Sequence, residues 1–369
     1  MSMEKKELLQ IADCFQIEGK MESIEPHGSG HINDTFLLTC SMEAGKDKRY
    51  ILQRMNHEIF KDPVGLMENV VNVTDFLQER IRESGGDPER EALNVIQTRE
   101  VRPFYVTEGG TYWRMYRFVE DASSYDAVEK PEDFYESAVA FGHFQKLLSS
   151  FPAASLHETI PDFHNTVDRL EKFKKALEAD ACQRAAEVQE EIQFVLERED
   201  DCHVLCDMLA AGDIPLRVTH NDTKLNNIMI DNETGKGICV IDLDTVMPGS
   251  ALYDYGDSIR FGANTGAEDE KDLSRISIDL DLFALYTKGY IEGCGGSLTE
   301  KEILMLPMGA KLMTLECGIR FLTDYLEGDH YFKIHRPEHN LDRCRTQFRM
   351  VKDMEEKWAR MQAIVEQYL

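Results

Sequence analysis

Residues 217–230 read RVTHNDTKLNNIMI. His220 and Asp222 stand two residues apart, and Asn227 follows five residues after the aspartate. A carboxylate at Asp222 can accept the hydrogen bond of an acceptor hydroxyl, take its proton and aim the oxygen in line at a phosphoryl group. Asn227 can offer an amide oxygen to Mg2+, which takes a few hard oxygen ligands together with phosphate and water. A second cluster, CVIDLDT at 239–245, ends an apolar run in two carboxylates, of which Asp242 suits a metal ligand. Asp244 reads equally as a second ligand or as a solvated turn carboxylate. Lys224 lies two residues past Asp222 and could neutralise a moving phosphoryl group; a solvated turn lysine is the alternative. Singly, these residues suit a cap or a turn. Two such clusters in this order, behind a strand-rich region, argue for a built site.

These groups need elements to position them. The apolar runs 228–230 and 238–241 can pair as a hairpin across DNETGKG, which would bring Asn227 and Asp242 to one end of a ribbon. Residues 4–18 read as a helix, and Phe36, Leu38 and Cys40 alternate as on a strand. A second strand is expected at 49–56, and a helix at 62–84 that opens with Asp62-Pro63. VIQTRE, PFYVTEGG and TYWRMYRFVED read as further strands. After Asp121 the texture is helical, with helices expected at 131–150, 166–179, 183–211, 270–292, 299–327 and 341–368. The expected fold class is α+β and bilobal. A small antiparallel-sheet lobe (1–120) would bind nucleotide, and a large helical lobe (121–369) would carry the catalytic loop. The hinge would lie near Phe118–Asp121, with a small-molecule site in the cleft.

Composition narrows the partners. The chain has 369 residues and a formal net charge of −27, which repels phosphate backbones, so no nucleic-acid partner is expected. No run of about 18 apolar residues occurs, so no membrane span is expected. The first residues, MSMEKKELLQIADCF, lack the apolar core of a signal peptide. Nine cysteines without a CxxC read as reduced thiols, in keeping with a cytoplasmic setting. His143 and His164 read as structural.

THNDTKLNNIMI and VIDLDTVMPGSALYDYGDSIRFGANT together resemble the aminoglycoside-phosphotransferase-type kinases. With IEPHGSGHINDTF, RYILQRMN and MTLECGIRFLTDYLEGDHYF, the chain looks more narrowly like the bacterial N-acetylhexosamine 1-kinases. The resemblance implies a bilobal kinase-like fold, with ATP as co-substrate and Mg2+ as cofactor. It implies phosphorylation of the anomeric hydroxyl of N-acetylglucosamine and N-acetylgalactosamine. Asp222 would be the base, and Asn227 and Asp242 the metal ligands. Asp254 would be a buried brace of the catalytic loop. Gly28, Ser29 and Gly30 would cover the nucleotide phosphates, and His31, Arg320 and Tyr331 would surround the sugar with Asp222. One position departs from the pattern: the strand that should carry a phosphate-binding lysine has Gln53, and pleating aims Arg54 at the other face. Lys224 is then the candidate cation. Glu68 sits on the helix that should carry the missing lysine's partner, without a role that can be assigned to it. Alternative readings are a same-fold kinase for homoserine, choline or methylthioribose, and a nucleotide-binding pseudokinase. A phosphatase or nuclease would want a His-rich metal cluster that is absent from the sequence.

Overall fold

Strict alternation shapes the strands that open the chain. In the computed structural model, which describes residues 5–28, 32–125 and 130–369, β1 (Lys20–Pro26), β2 (Asp34–Ser41), β3 (Lys48–Met55), β4 (Tyr105–Val106) and β5 (Tyr112–Arg117) form one sheet in the order β1-β2-β3-β5-β4. All of its pairings are antiparallel. Leu38 and Cys40, Tyr50 and Leu52, and Trp113 and Met115 point to one face, where they bury Leu8, Ile11 and Ala12 of the helix Lys5–Ala12 together with Phe15. The opposite face is polar at its centre. Thr35 pairs with Gln53 across β2 and β3, and Gln53 pairs with Arg114 across β3 and β5. Directly opposed residues share a face, so these three side chains form one row. Arg54 turns to the other face, as its pleat demands, and pairs with Asp34.

The chain divides into two units. The first comprises Met1–Ser123, Ser155–Ile160 and Met229–Met247. In it the helix Pro63–Glu83 starts at Pro63 because Asp62 accepts from the Gly65 amide. Asn69 on this helix donates to the carbonyls of His157 and Val246, which fastens the two later segments to the sheet unit. The ribbon Ile228–Asp231 and Gly237–Val240 forms as the sequence suggests, with Ala122–Ser123 added on its outer side. VIQTRE does not become a strand; it makes isolated bridges at Val95 and Thr98.

The second unit comprises Ser124–Ala154, Pro161–Ile228 and Pro248–Leu369 and is built on helices. Pro131–Leu147 and Thr166–Ala179 lie where the periodicity puts them. The expected helix 183–211 is two, Gln189–Leu196 and Glu199–Ala211. Glu199, Asp200 and Asp201 crowd the first turn of the second helix, where negative charge favours a fresh N-terminus. The helix expected from 270 begins at Leu280, because Asp279 accepts from the amides of Asp281 and Leu282. The last helix divides into His339–Glu356 and Trp358–Val365.

One helix is absent from the sequence reading: Ala251–Gly262, capped by Ser250. Its hydrophobic stripe is interrupted by Asp254, Asp257 and Arg260, all buried. It packs on Glu300–Glu327 through glycines, since a Cβ on Gly309 would stand 2.6 Å from the Leu252 carbonyl oxygen and one on Gly256 would meet the Gly309 carbonyl. Backbone on both sides leaves nothing to rotate away. Gly309→Ala is therefore expected to destabilise the chain by about 1–3 kcal/mol through overpacking, read as a lowered urea midpoint. An unchanged midpoint would mean that the helices do not lie this close.

Candidate active site

The short strand Arg217–Thr219 delivers the chain to Asp222. Arg217 forks onto Glu302 (2.6 and 2.8 Å), whose carboxylate also accepts from the Thr299 amide and caps Glu300–Glu327. The strand is thereby tied to the start of the longest helix in the unit. At Asn221 the backbone turns left-handed (φ 66°), a conformation asparagine tolerates. The turn is held from below by Asp254, which accepts from the amides of His220 (2.9 Å) and Asn221 (2.8 Å) and from Gln145 Nε2 (3.0 Å). Burial pushes the Asp254 carboxyl above its ordinary value, against the pull of His220 and of these donors. The His220 ring is fully buried, edge-on to Phe141 and Phe144.

Above this brace the chemistry-bearing side chains meet. Lys224 Nζ lies 2.8 Å from Asp222 Oδ1. Asn227 Nδ2 donates to the Asp222 carbonyl (2.8 Å) and to Asp222 Oδ2 (3.2 Å). Burial lowers the Lys224 ammonium, but Asp222 and Asp257 outweigh it and leave it raised, so Lys224 stays charged. Its side chain is partly exposed and paired with Asp222. Asp257 accepts from the Thr223 amide (3.1 Å) and from Arg260 (2.8 Å), and Thr223 Oγ1 donates to the Asp254 carbonyl (2.6 Å). Asp254 and Asp257, one turn apart on that helix, thus hold the loop at His220, Asn221 and Thr223.

Because Asn227 turns its amide nitrogen to Asp222, its amide oxygen remains for another partner. Beside it, Asn226 Oδ1 is buried with no hydrogen-bond partner. Two amide oxygens suit a hard cation, so the loop fits Mg2+. Among the described residues no group of three His, Cys, Asp or Glu could hold a metal ion, and a site completed by phosphate and water needs none.

Asp242, in the first unit, has a left-handed backbone (φ 57°, ψ 59°) at the end of its strand. Asp244 is buried. Its Oδ1 pairs with Arg114 and its Oδ2 accepts from Asn33 Nδ2 (2.6 Å). Buried and paired in this way, it is not a solvated carboxylate. Gln53 accepts from Arg114 Nε (3.0 Å) and donates to Thr35 Oγ1 (3.0 Å). Glu68 is exposed and bonds His157 (2.6 Å) instead. Gly28 has a positive φ of 78° in the turn after β1. Ser29, Gly30 and His31 lie outside the described residues.

Arg320 and Tyr331 come together in the second unit, Nη2 to hydroxyl at 3.5 Å. The guanidinium sits over the rings of Phe332 (5.4 Å), Phe163 (5.7 Å) and Tyr331 (5.8 Å). One turn earlier, buried Glu316 faces Arg320 (3.7 Å), Arg169 (3.8 Å) and His164 Nδ1 (2.9 Å). Asp324 accepts from the amides of His330, Tyr331 and Phe332, which sets the loop that presents the two aromatic residues. Tyr331 itself is exposed. His164 is therefore part of a charged cluster. Asp324, Asp257 and Arg114 escaped the sequence reading, whereas the Glu316–Arg320 spacing of four is legible as a helix pair.

A model of the phosphotransferase enzyme family matches residues 23–283, well over half of the chain. The chain belongs to that family. Among solved structures it is similar to a microcompartment-associated aminopropanol kinase, with 16% identity, a TM-score of 0.61, and 97% of this chain and 98% of that one covered. It is also similar to an aminoglycoside phosphotransferase from Alicyclobacillus acidocaldarius, at 12% identity and a TM-score of 0.62, over 97% and 96% of the two chains. A choline kinase from Cryptosporidium parvum matches at 14% identity and a TM-score of 0.56, over 93% and 91%. The fold is the aminoglycoside-phosphotransferase type, with a five-stranded antiparallel sheet unit and a helical unit. The phosphotransferase is thus an enzyme of the kinase type that transfers phosphate to an alcohol. No described helix is long and apolar enough to cross a membrane.

The acid dependence of stability follows from Glu316 and Asp257. Burial raises both carboxyls, but His164, Arg320 and Arg169 around Glu316, and Arg260 and Lys224 around Asp257, leave both below their ordinary values. A carboxyl depressed on folding contributes stability above its unfolded value, roughly 4. That stability is lost as pH falls through the folded value. Glu316→Gln should cost about 3–5 kcal/mol near neutrality, because Arg169 and Arg320 lose their anion. Its urea midpoint should also fall less steeply on acidification than that of the unaltered chain. Parallel acid profiles would remove Glu316 from this role.

Proposed function

We propose that this phosphotransferase transfers the γ-phosphoryl group of ATP to the anomeric hydroxyl of an N-acetylhexosamine, N-acetylglucosamine or N-acetylgalactosamine. The observation that carries the acceptor class is Arg320. A choline or ethanolamine site needs aromatic faces and anions open to a cation. Here the rings of Phe163, Tyr331 and Phe332 already face a guanidinium, and Glu316 is engaged by Arg320, Arg169 and His164. A second cation would meet like charge, whereas a neutral sugar can take hydrogen bonds from Arg320 and the Tyr331 hydroxyl and stack its apolar edge on a ring.

Asp222 accepts the proton of the attacking hydroxyl. A hemiacetal hydroxyl is more acidic than an ordinary alcohol, so one carboxylate suffices as base. Lys224, held at Asp222, offsets charge on the moving phosphoryl group. Asn227 and Asp242 would hold Mg2+, which neutralises charge on the β- and γ-phosphates when bound. Gly28, Ser29 and Gly30 would cover the phosphates, and His31 would join Arg320 and Tyr331 at the sugar. ATP as co-substrate and nine free thiols suit a cytoplasmic setting.

The test is ATP-dependent phosphorylation across free sugars, choline, homoserine and methylthioribose, with NMR of the product. N-acetylglucosamine and N-acetylgalactosamine should exceed glucose and galactose in kcat/KM, since a site built to bond the acetamido group is left unpaired without it. Their 1-O-methyl glycosides should be inert, and phosphate found at O6 would overturn the reading. Asp222→Asn should lower kcat by roughly 10²–10⁴-fold with ATP binding little changed. Near-normal turnover would remove Asp222 from the base role.

A further inference from the structure

The central row on the polar face of the sheet has no function in the account so far. It runs from Thr35 on β2 through Gln53 on β3 to Arg114 on β5, by hydrogen bonds of 3.0 Å at each step. It continues through the Arg114–Asp244 ion pair to Asn33. Asn33 Oδ1 in turn accepts from the Asn56 amide (3.0 Å), at the exit of β3. The chain of contacts therefore starts on one strand of the glycine hairpin, crosses the sheet, touches the turn that carries Asp242, and returns to the base of the same hairpin.

Arg114 is 1% exposed and Asp244 4%. A guanidinium cannot shed its charge by deprotonation, so burying it requires an anion. Buried ion pairs are weak devices for stability, because well-packed apolar residues of similar volume serve as well or better. Their best use is to specify one arrangement. The arrangement specified here involves the carboxylate two residues from Asp242 and the residue beside the hairpin that opens at Gly28. Asp244 is thereby fixed on both sides, by Arg114 at Oδ1 and by Asn33 at Oδ2.

We propose that Arg114 is the buried cation of the nucleotide-binding unit. It supplies from β5 the positive charge that Gln53 does not supply from β3, and as a positioning residue it sets Asp244, Asn33 and the Asp242 turn as one piece against β2 and β3. This rests on the kinase reading above. Arg114 acts through Asp244 and Asn33, and its effect belongs to nucleotide affinity rather than to the proton transfer at Asp222.

The experiment compares the unaltered chain with three variants: the double variant Arg114→Met/Asp244→Asn, Arg114→Lys and Asn33→Ala. The double variant leaves neither buried charge uncompensated. Asn33→Ala cuts only the last link and keeps the ion pair, so it remains informative where the double variant does not fold. Binding of ADP with Mg2+ is measured by titration calorimetry without any acceptor, beside thermal melting and the KM for ATP. The double variant should melt near the unaltered chain yet bind the nucleotide roughly ten- to hundredfold more weakly, the scale of a lost charge-assisted contact. KM for ATP should rise in step, with kcat largely kept. Arg114→Lys should fall between the two, and Asn33→Ala should weaken binding severalfold with its melting unchanged. Equal nucleotide affinity in the unaltered chain and the folded variants overturns the inference and leaves the kinase reading standing. Failure of the unaltered chain to bind ADP with Mg2+ overturns both.

Discussion

The Asp254 carboxylate is the constraint on which the catalytic loop depends. It accepts the consecutive amides of His220 and Asn221, two donors that the left-handed turn at Asn221 would otherwise leave buried and unpaired. An unpaired buried donor costs about 1–3 kcal/mol, so the turn and the carboxylate need each other. Asp254 in turn is placed by glycine contacts between its helix and Glu300–Glu327. That long helix also carries Glu316, Arg320 and Asp324 and, at its first turn, Glu302. One helix-to-helix packing thus sets the heights of the loop that holds Asp222 and of the cluster around Arg320.

Much of this arrangement was legible in the sequence because it follows from local periodicity. Alternation gave the faces of β2 and β3, and the spacing from Asp222 to Asn227 marked a turn with a carboxylate and an amide at its ends. The unread parts depend on distant partners. The helix Ala251–Gly262 buries Asp254, Asp257 and Arg260, so its stripe is broken where it matters most. Only a fold that brings Thr223 and the amides of His220 and Asn221 to those groups makes the break sensible. Asp244 fails to read for the same reason: its partners lie 130 and 211 residues away, at Arg114 and Asn33. VIQTRE carries strand-like residues, yet the sheet is completed by β4, so the segment keeps only isolated bridges.

A common device recurs in both units. Each candidate cation is paired to a carboxylate of its own unit: Lys224 to Asp222, Arg114 to Asp244, Arg320 to Glu316. Pairing orients the cation and blunts its field. In a chain of net charge −27, no broad positive potential draws in a triphosphate. With such a net charge, small anions are favoured by local geometry rather than by bulk charge.

The pairing also constrains how the phosphotransferase binds ATP. Lys224 is paired with Asp222 in one unit, and Arg114 with Asp244 in the other. In the proposed function the charge of the triphosphate is balanced by a divalent cation bound with it. The donor set fits that requirement: amide oxygens at Asn226 and Asn227, with the buried Oδ1 of Asn226 lacking any partner, are neutral ligands that bind a hard cation without adding negative charge. In the proposed function the carboxylates serve the proton and the metal, and the lysine and arginines paired with them hold their aim.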